Sequence, residues 1–170
     1  MKLSELYDFY DRAYALEHTQ RYSMIPVNKR ESVASHSYFV ALGVRLLHEV
    51  YKFNLERALC MALSHDIGEI GVSDVNHVVK MKYPRLRAAI KDAEREETKS
   101  FPPCIQDDIN AYALESVEAK IVHLADTIQV SQYASSEENL GNVGYMSQVK
   151  SNSRSRANKI MEELTKYERK

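Results

Sequence analysis

Glycine and proline are scarce in this chain, at 5 and 4 of 170 residues. So few turn formers, with no sustained alternation of apolar and polar residues, exclude a sheet protein built on hairpins. Tryptophan is absent, and cysteine occurs only at Cys60 and Cys104. Two distant thiols exclude a disulfide framework and a thiolate metal cluster. Both are expected as small core residues, Cys60 because it lies in an apolar run. Charge of one sign is also missing: 23 Lys and Arg face 24 Asp and Glu, for a net charge of -1. No global basic field is available for long nucleic acid, so a phosphate-bearing ligand needs a local site. No apolar run reaches the length of a membrane span. The opening MKLSELYDFYDR lacks the apolar core of a signal peptide. The expectation is a cytoplasmic protein with no membrane partner.

What is present is helical pattern in a length that suits one domain with its own core. The fold class predicted is an all-α, single-domain bundle over residues 1–170, with a site-bearing core at about 31–134. Ser4 is expected to cap a first helix reaching about residue 18, with Leu3, Leu6, Tyr7, Tyr10 and Tyr14 at helical spacing. A connector over 19–29, broken by Pro26, leads to a helix over about 31–51. Asn54 caps a third, running 55–69 and loosened by Gly68 and Gly71. Pro84 opens a fourth that stops before Pro102 and Pro103. Helices over 105–112 and 116–133 follow. Residues 135–144 (SSEENLGNVG) read as a polar loop, and an amphipathic helix over 146–167 ends in a charged, frayed tail.

The chemistry gathers at three places. ALSHDIGE puts His65 and Asp66 directly after an apolar stretch, with Glu69 four and three residues later on the same helical face. Alone, the pair reads as readily as a hydrogen-bonded core histidine. His36, however, sits in VASHSYFVAL and Asp126 in KIVHLADTIQV. A buried imidazole or carboxylate needs a partner, and three helices each bring one into apolar surroundings. Two His and two carboxylates suit a divalent ion that retains open positions for water.

The pattern H…HD…D resembles the signature of the HD-domain metal-dependent phosphohydrolases, and in particular the compact bacterial 5'-deoxynucleotidases and phage dATP triphosphohydrolases. The similarity spans about 21–133. Arg21-Tyr22 stands where the family has an Arg-aromatic pair, Glu31-Ser32-Val33-Ala34-Ser35-His36-Ser37 follows its first His motif, and Glu69, Asp74 and Lys80 keep its spacing after HD. The resemblance implies His36, His65, Asp66 and Asp126 as metal ligands and Glu69 and Asp74 as catalytic carboxylates. It also implies Arg21 and Lys80 at phosphate, Tyr22 at a base, and His123 at phosphate where the family carries Lys. The departures are Tyr22 for Trp, His123 for Lys, and Asn76-His77-Val78-Val79 for a Pro-rich step.

The implied cofactor is a divalent ion (Mn, Co, Zn, Fe or Ni, with Mg at substrate phosphates). The implied substrate is a deoxynucleotide. The short chain inclines the reading to release of triphosphate from dATP, with hydrolysis of deoxynucleoside monophosphates as the alternative. A cyclic-nucleotide or alarmone hydrolase would add a Gly-Tyr-Pro element that is missing. A degenerate binding module would have lost ligands that are intact. His18, His48 and His77 are expected as structural or exposed, and the Glu94-Arg95-Glu96-Glu97 run as a solvated face. The tyrosine-rich first helix and the amphipathic last one are expected to support a homo-oligomer.

Overall fold

A computed structural model describes residues 2–75 and 77–168. In chain order it contains α1 (Leu3–Ala13) with a 3-10 turn (Tyr14–Glu17), α2 (Val33–Leu47), α3 (Leu55–Ser64) and the single-turn α4 (Glu69–Val72). Then come α5 (His77–Lys82), α6 (Pro84–Thr98), α7 (Pro103–Tyr112), α8 (Val117–Asn139) and α9 (Tyr145–Leu164), closed by a 3-10 turn (Thr165–Tyr167). Among the described residues there is no β-sheet, only the isolated bridges Gln20–Ser32 and Tyr51–Glu168. Asn76 and the side chains of His77 and Val78, where the Pro-rich step is replaced, lie outside the described residues.

Local chemistry sets the helix starts. Ser32, Asn54 and Ser116 each accept a hydrogen bond at 3.1 Å from the backbone N–H three residues on, satisfying a donor the helix cannot pair itself. Pro84 and Pro103 open α6 and α7, where their missing N–H is not needed.

Burial then organises the bundle around α8, which packs against α9, α2 and α3. Ile121, Val122, Leu124 and Ala125 are buried round its circumference, against Val40 and Val44 of α2 and Met61 and Ala62 of α3. The valine, leucine, isoleucine and methionine side chains among these each contribute about 1.5–3 kcal/mol on leaving water. Gly43 permits the close approach of α2 to α8, because a Cβ there would stand 3.2 Å from the Cβ of Ala125. That contact brings the helix of His36 against the helix of Asp126.

Several expectations need correction. α8 runs to Asn139, so the polar loop shrinks to 140–144. Glu137 and Ala134 are fully buried there, and tertiary contacts override the loop-like composition. Ser4 lies inside α1, whose N-cap is Lys2, with the Lys2 N–H donating to the Glu5 carboxylate at 2.7 Å. The third helix stops at Ser64, leaving His65 to Gly68 in a turn, and α5 was not foreseen. Cys60 and Cys104 are both exposed. Cys60 points away from the buried Ala58, Met61 and Ala62 face of its helix. The tail is tied rather than frayed through Glu168, since Lys52 N–H donates to the Tyr167 carbonyl at 2.7 Å.

Candidate metal centre

His36 lies one turn after the Ser32 cap of α2 and is fully buried. His65 and Asp66 begin the turn after α3, and Asp126 projects from the middle of α8. The fold brings all four together. His36 Nε2 lies 3.3 Å from Asp126 Oδ1 and 3.5 Å from Asp66 Oδ2, and His65 Nε2 lies 3.2 Å from Asp66 Oδ2. One ligand atom each from His36, His65 and Asp126 falls within a 4.8 Å cluster.

Both Nε2 atoms are buried and have no hydrogen-bond partner. An unpaired buried nitrogen is costly, and two of them facing carboxylates fit a cation between them. Separations of 3.2–3.5 Å are also the edge lengths of a coordination polyhedron with bonds of about 2.1 Å. The donor set fits a divalent ion.

The electrostatics agree. Burial pushes the His65 imidazole down, but the negative charges of Asp66 and Asp126 raise it to about 9. Burial raises Asp126, yet His36, His65 and Arg21 hold its carboxyl below the usual range. Glu69, nearly buried, is pushed up to about 9 by burial and by the charges of Asp66 and Asp74. Acidic groups crowd the centre strongly enough to retain protons that a cation would replace.

The remaining predicted residues lie around the centre on different elements. Arg21 Nη1 contacts His36 Nδ1 and lies 3.3 Å from Glu31 Oε2 and 3.4 Å from Gln129 Oε1. Tyr22 has φ 57°, a left-handed conformation uncommon for a non-glycine, and its N–H donates to Asp74 Oδ2 at 3.0 Å. Its ring stacks on Tyr133 with centroids 4.9 Å apart. Ser73, just before Asp74, also has positive φ, at 65°. Lys80 Nζ stands 3.9 Å from Glu94 Oε1. Glu94 and Glu97 thus depart from the solvated reading of their run, since Glu97 pairs with Arg12 at 2.5 Å. His123 sits behind the centre, its Nδ1 hydrogen-bonded to the Tyr112 hydroxyl at 2.8 Å. Burial and the charge of Arg156 push the His123 imidazole down.

Sequence reasoning missed two residues and left a third without a role. Gln129 reaches the back of His36 and is findable as the third residue after Asp126 on one helical face. Tyr112 packs its ring 5.5 Å from His65, with no sequence signal to mark it among 11 tyrosines. Glu31, quoted only as part of a motif, binds Gln129 and Arg21. A cavity of about 370 Å³ lies between α1 and the 100–103 turn, and none of the candidate ligands lines it.

The chain resembles three solved structures. An HD-domain phosphohydrolase (lin2634) from Listeria innocua has TM-score 0.79 and 21% identity, covering 92% of this chain and 82% of that one. A conserved hypothetical protein from Pyrococcus furiosus has TM-score 0.76 and 25% identity, covering 89% of each. The PH0347 protein from Pyrococcus horikoshii OT3 has TM-score 0.75 and 21% identity, covering 92% and 94%. No curated protein matches the chain. Residues 8–168 match the family described as 5'-deoxynucleotidase YfbR-like. With nearly the whole chain inside that match and a divalent-ion site at its centre, the protein belongs to the YfbR-like family and is an HD-domain nucleotide phosphohydrolase.

Proposed function

We propose that the protein is a 5'-deoxynucleotidase, releasing phosphate from deoxynucleoside monophosphates at a divalent ion held by His36, His65, Asp66 and Asp126. The observation that carries this reading is the pair of buried, unpartnered Nε2 atoms facing two carboxylates. A bound divalent ion supplies positive charge beside the phosphoryl group and acidifies a water from a pKa of about 15.7 toward about 7. Asp74, fixed by the Tyr22 N–H, orients the attacking water or takes its proton. Glu69, within the electrostatic reach of Asp66 and Asp74, shares that proton traffic. Arg21 and Lys80 neutralise phosphate charge, and the exposed edge of Tyr22 meets the base. His123, whose Nδ1 is engaged by the Tyr112 hydroxyl, has Nε2 left for phosphate.

The sequence inclined to triphosphate release. The family match favours the monophosphate alternative, as does the charge around the centre. Arg21 is already shared with Glu31, and Lys80 with Glu94, which leaves little cationic capacity for a triphosphate. Purified protein with Mn²⁺ or Co²⁺ is expected to release inorganic phosphate from dAMP and other deoxynucleoside monophosphates. Triphosphate released from dATP, with monophosphates untouched, would overturn the substrate assignment. No turnover with any of these metals would return the protein to a binding module.

Self-association belongs to the same proposal. Leu3, Tyr7, Tyr10 and Tyr14 form a stripe along α1 and the 3-10 turn after it that is 65–69% exposed, which supports a homo-oligomer. Light scattering giving a monomer mass at micromolar concentration would refute that part alone.

A further inference from the structure

The two histidines of the centre are held by different devices. His65 Nδ1 donates to the Ala62 carbonyl at 2.8 Å, and a backbone acceptor fixes which ring nitrogen carries the proton. Among the described residues, no backbone carbonyl accepts from His36 in this way. Its Nδ1 lies 2.7 Å from Gln129 Oε1, and Gln129 Nε2 donates in turn to Glu31 Oε1.

An amide can turn either end toward an imidazole, and Glu31 decides which. An ionised carboxylate only accepts, so the amide nitrogen faces Glu31 and the carbonyl oxygen faces His36. Nδ1 then carries the proton, and the fully buried Nε2 turns its lone pair toward Asp66 and Asp126. Arg21 Nη1 also contacts Nδ1, but a guanidinium only donates, and it has acceptors in Glu31 Oε2 and Gln129 Oε1. Because Gln129 follows Asp126 by three residues, one face of α8 supplies a carboxylate to the ion position and an amide behind the imidazole.

We propose that Gln129, locked by Glu31, is the positioning residue that holds His36 in its Nδ1–H tautomer and so presents Nε2 as a metal ligand. The proposal rests on the divalent-ion reading of the site. Outer partners of metal-ligating histidines typically account for roughly 10- to 100-fold in metal affinity.

The test uses the full chain with Zn²⁺ as the probe. Affinity is measured by competition with a chromophoric chelator, and the His36 tautomer by ¹⁵N–¹H spectra of the ring. Wild type is expected to bind Zn²⁺ with Nδ1 protonated. Gln129→Leu should bind roughly 10- to 100-fold more weakly, with the tautomers mixed. The double variant Gln129→Glu with Glu31→Gln, which keeps an acceptor toward His36 and a donor behind it, should stay within severalfold of wild type. Glu31→Gln should lose affinity by an intermediate factor, and it reads the same device should the leucine variant fail to fold. Wild-type affinity and tautomer in Gln129→Leu, or in Glu31→Gln where the leucine variant is unfolded, would overturn the inference and leave the metal site standing. Absence of Zn²⁺ binding by wild type would overturn both.

Discussion

On one side of the ion position, His36 and Asp126 issue from helices of 15 and 23 residues whose neighbouring side chains are fully buried. On the other, Asp66, Glu69, Asp74 and Lys80 issue from a turn, a single helical turn, a loop and a six-residue helix. The long-helix side is fixed by packing that also holds the fold together. The short-segment side is fixed by a few polar contacts and carries Ser73 in a backbone region almost reserved for glycine, with φ 65° and ψ 165°. The placement of His36 and Asp126 is thus tied to global stability, and the groups on the short-segment side are adjustable with less effect on it.

Substitutions can break that contrast or sharpen it. The largest effect is expected from His65→Ala, which removes a ligand. Bound metal and turnover should both fall beyond the roughly 100-fold upper end seen for outer-shell partners, by metal analysis and phosphate release. Next comes Glu137→Ala at the far end of α8. The Glu137 carboxylate accepts from Asn28 N–H at 2.7 Å and Lys29 N–H at 2.8 Å, and stranding those donors should remove about 2–4 kcal/mol in urea unfolding.

A pH series reads the same residue. Burial pushes the Glu137 carboxyl up, but the Asn142 amide and the two backbone N–H groups pull it below its ordinary 4.5. Its charged form therefore stabilises the fold fully above that value, and the contribution is lost as pH falls through the folded value. The difference in Tm between wild type and Glu137→Gln should be constant near pH 7 and shrink progressively as the pH is taken below the ordinary 4.5.

Ser73→Gly tests the adjustable side. Relief of the strained φ should stabilise by about 1 kcal/mol, while kcat falls severalfold because Asp74 is less constrained. An unchanged kcat would show that Asp74 owes its placement to Tyr22 alone. The smallest effect is expected from Cys60→Ser on the exposed face of α3, within about 0.5 kcal/mol by thermal unfolding.

The same contrast governs what the sequence reveals. His36 and Asp126 stand out because a polar group amid Val, Ala and Leu demands a partner, and that demand is visible in one dimension. The helix starts at Ser32, Asn54 and Ser116 are legible because a cap acts on its own neighbours. The end of α8 is not. Residues 135–139 have loop composition, and they stay helical because Glu137 meets Asn28 and Lys29, over a hundred positions away. Gln129 offers only its register three residues after Asp126, since a neutral amide in a helix signals little until its partners are known. α5 and the break at His65 belong to short elements, whose form depends on what packs over them.

The chain between Thr19 and Val33 is closed at its neck. Val33 N–H donates to the Thr19 carbonyl at 2.9 Å, Arg21 N–H donates to the Glu31 carbonyl at 2.9 Å, and Gln20 pairs with Ser32. Its tip at Met24 is 70% exposed. Doubling the length of a loop already tied in this way adds only about 0.6 kcal/mol of closure entropy. Evolution, or a protein engineer, can therefore graft new segments at that tip while Arg21 and His36 keep their places.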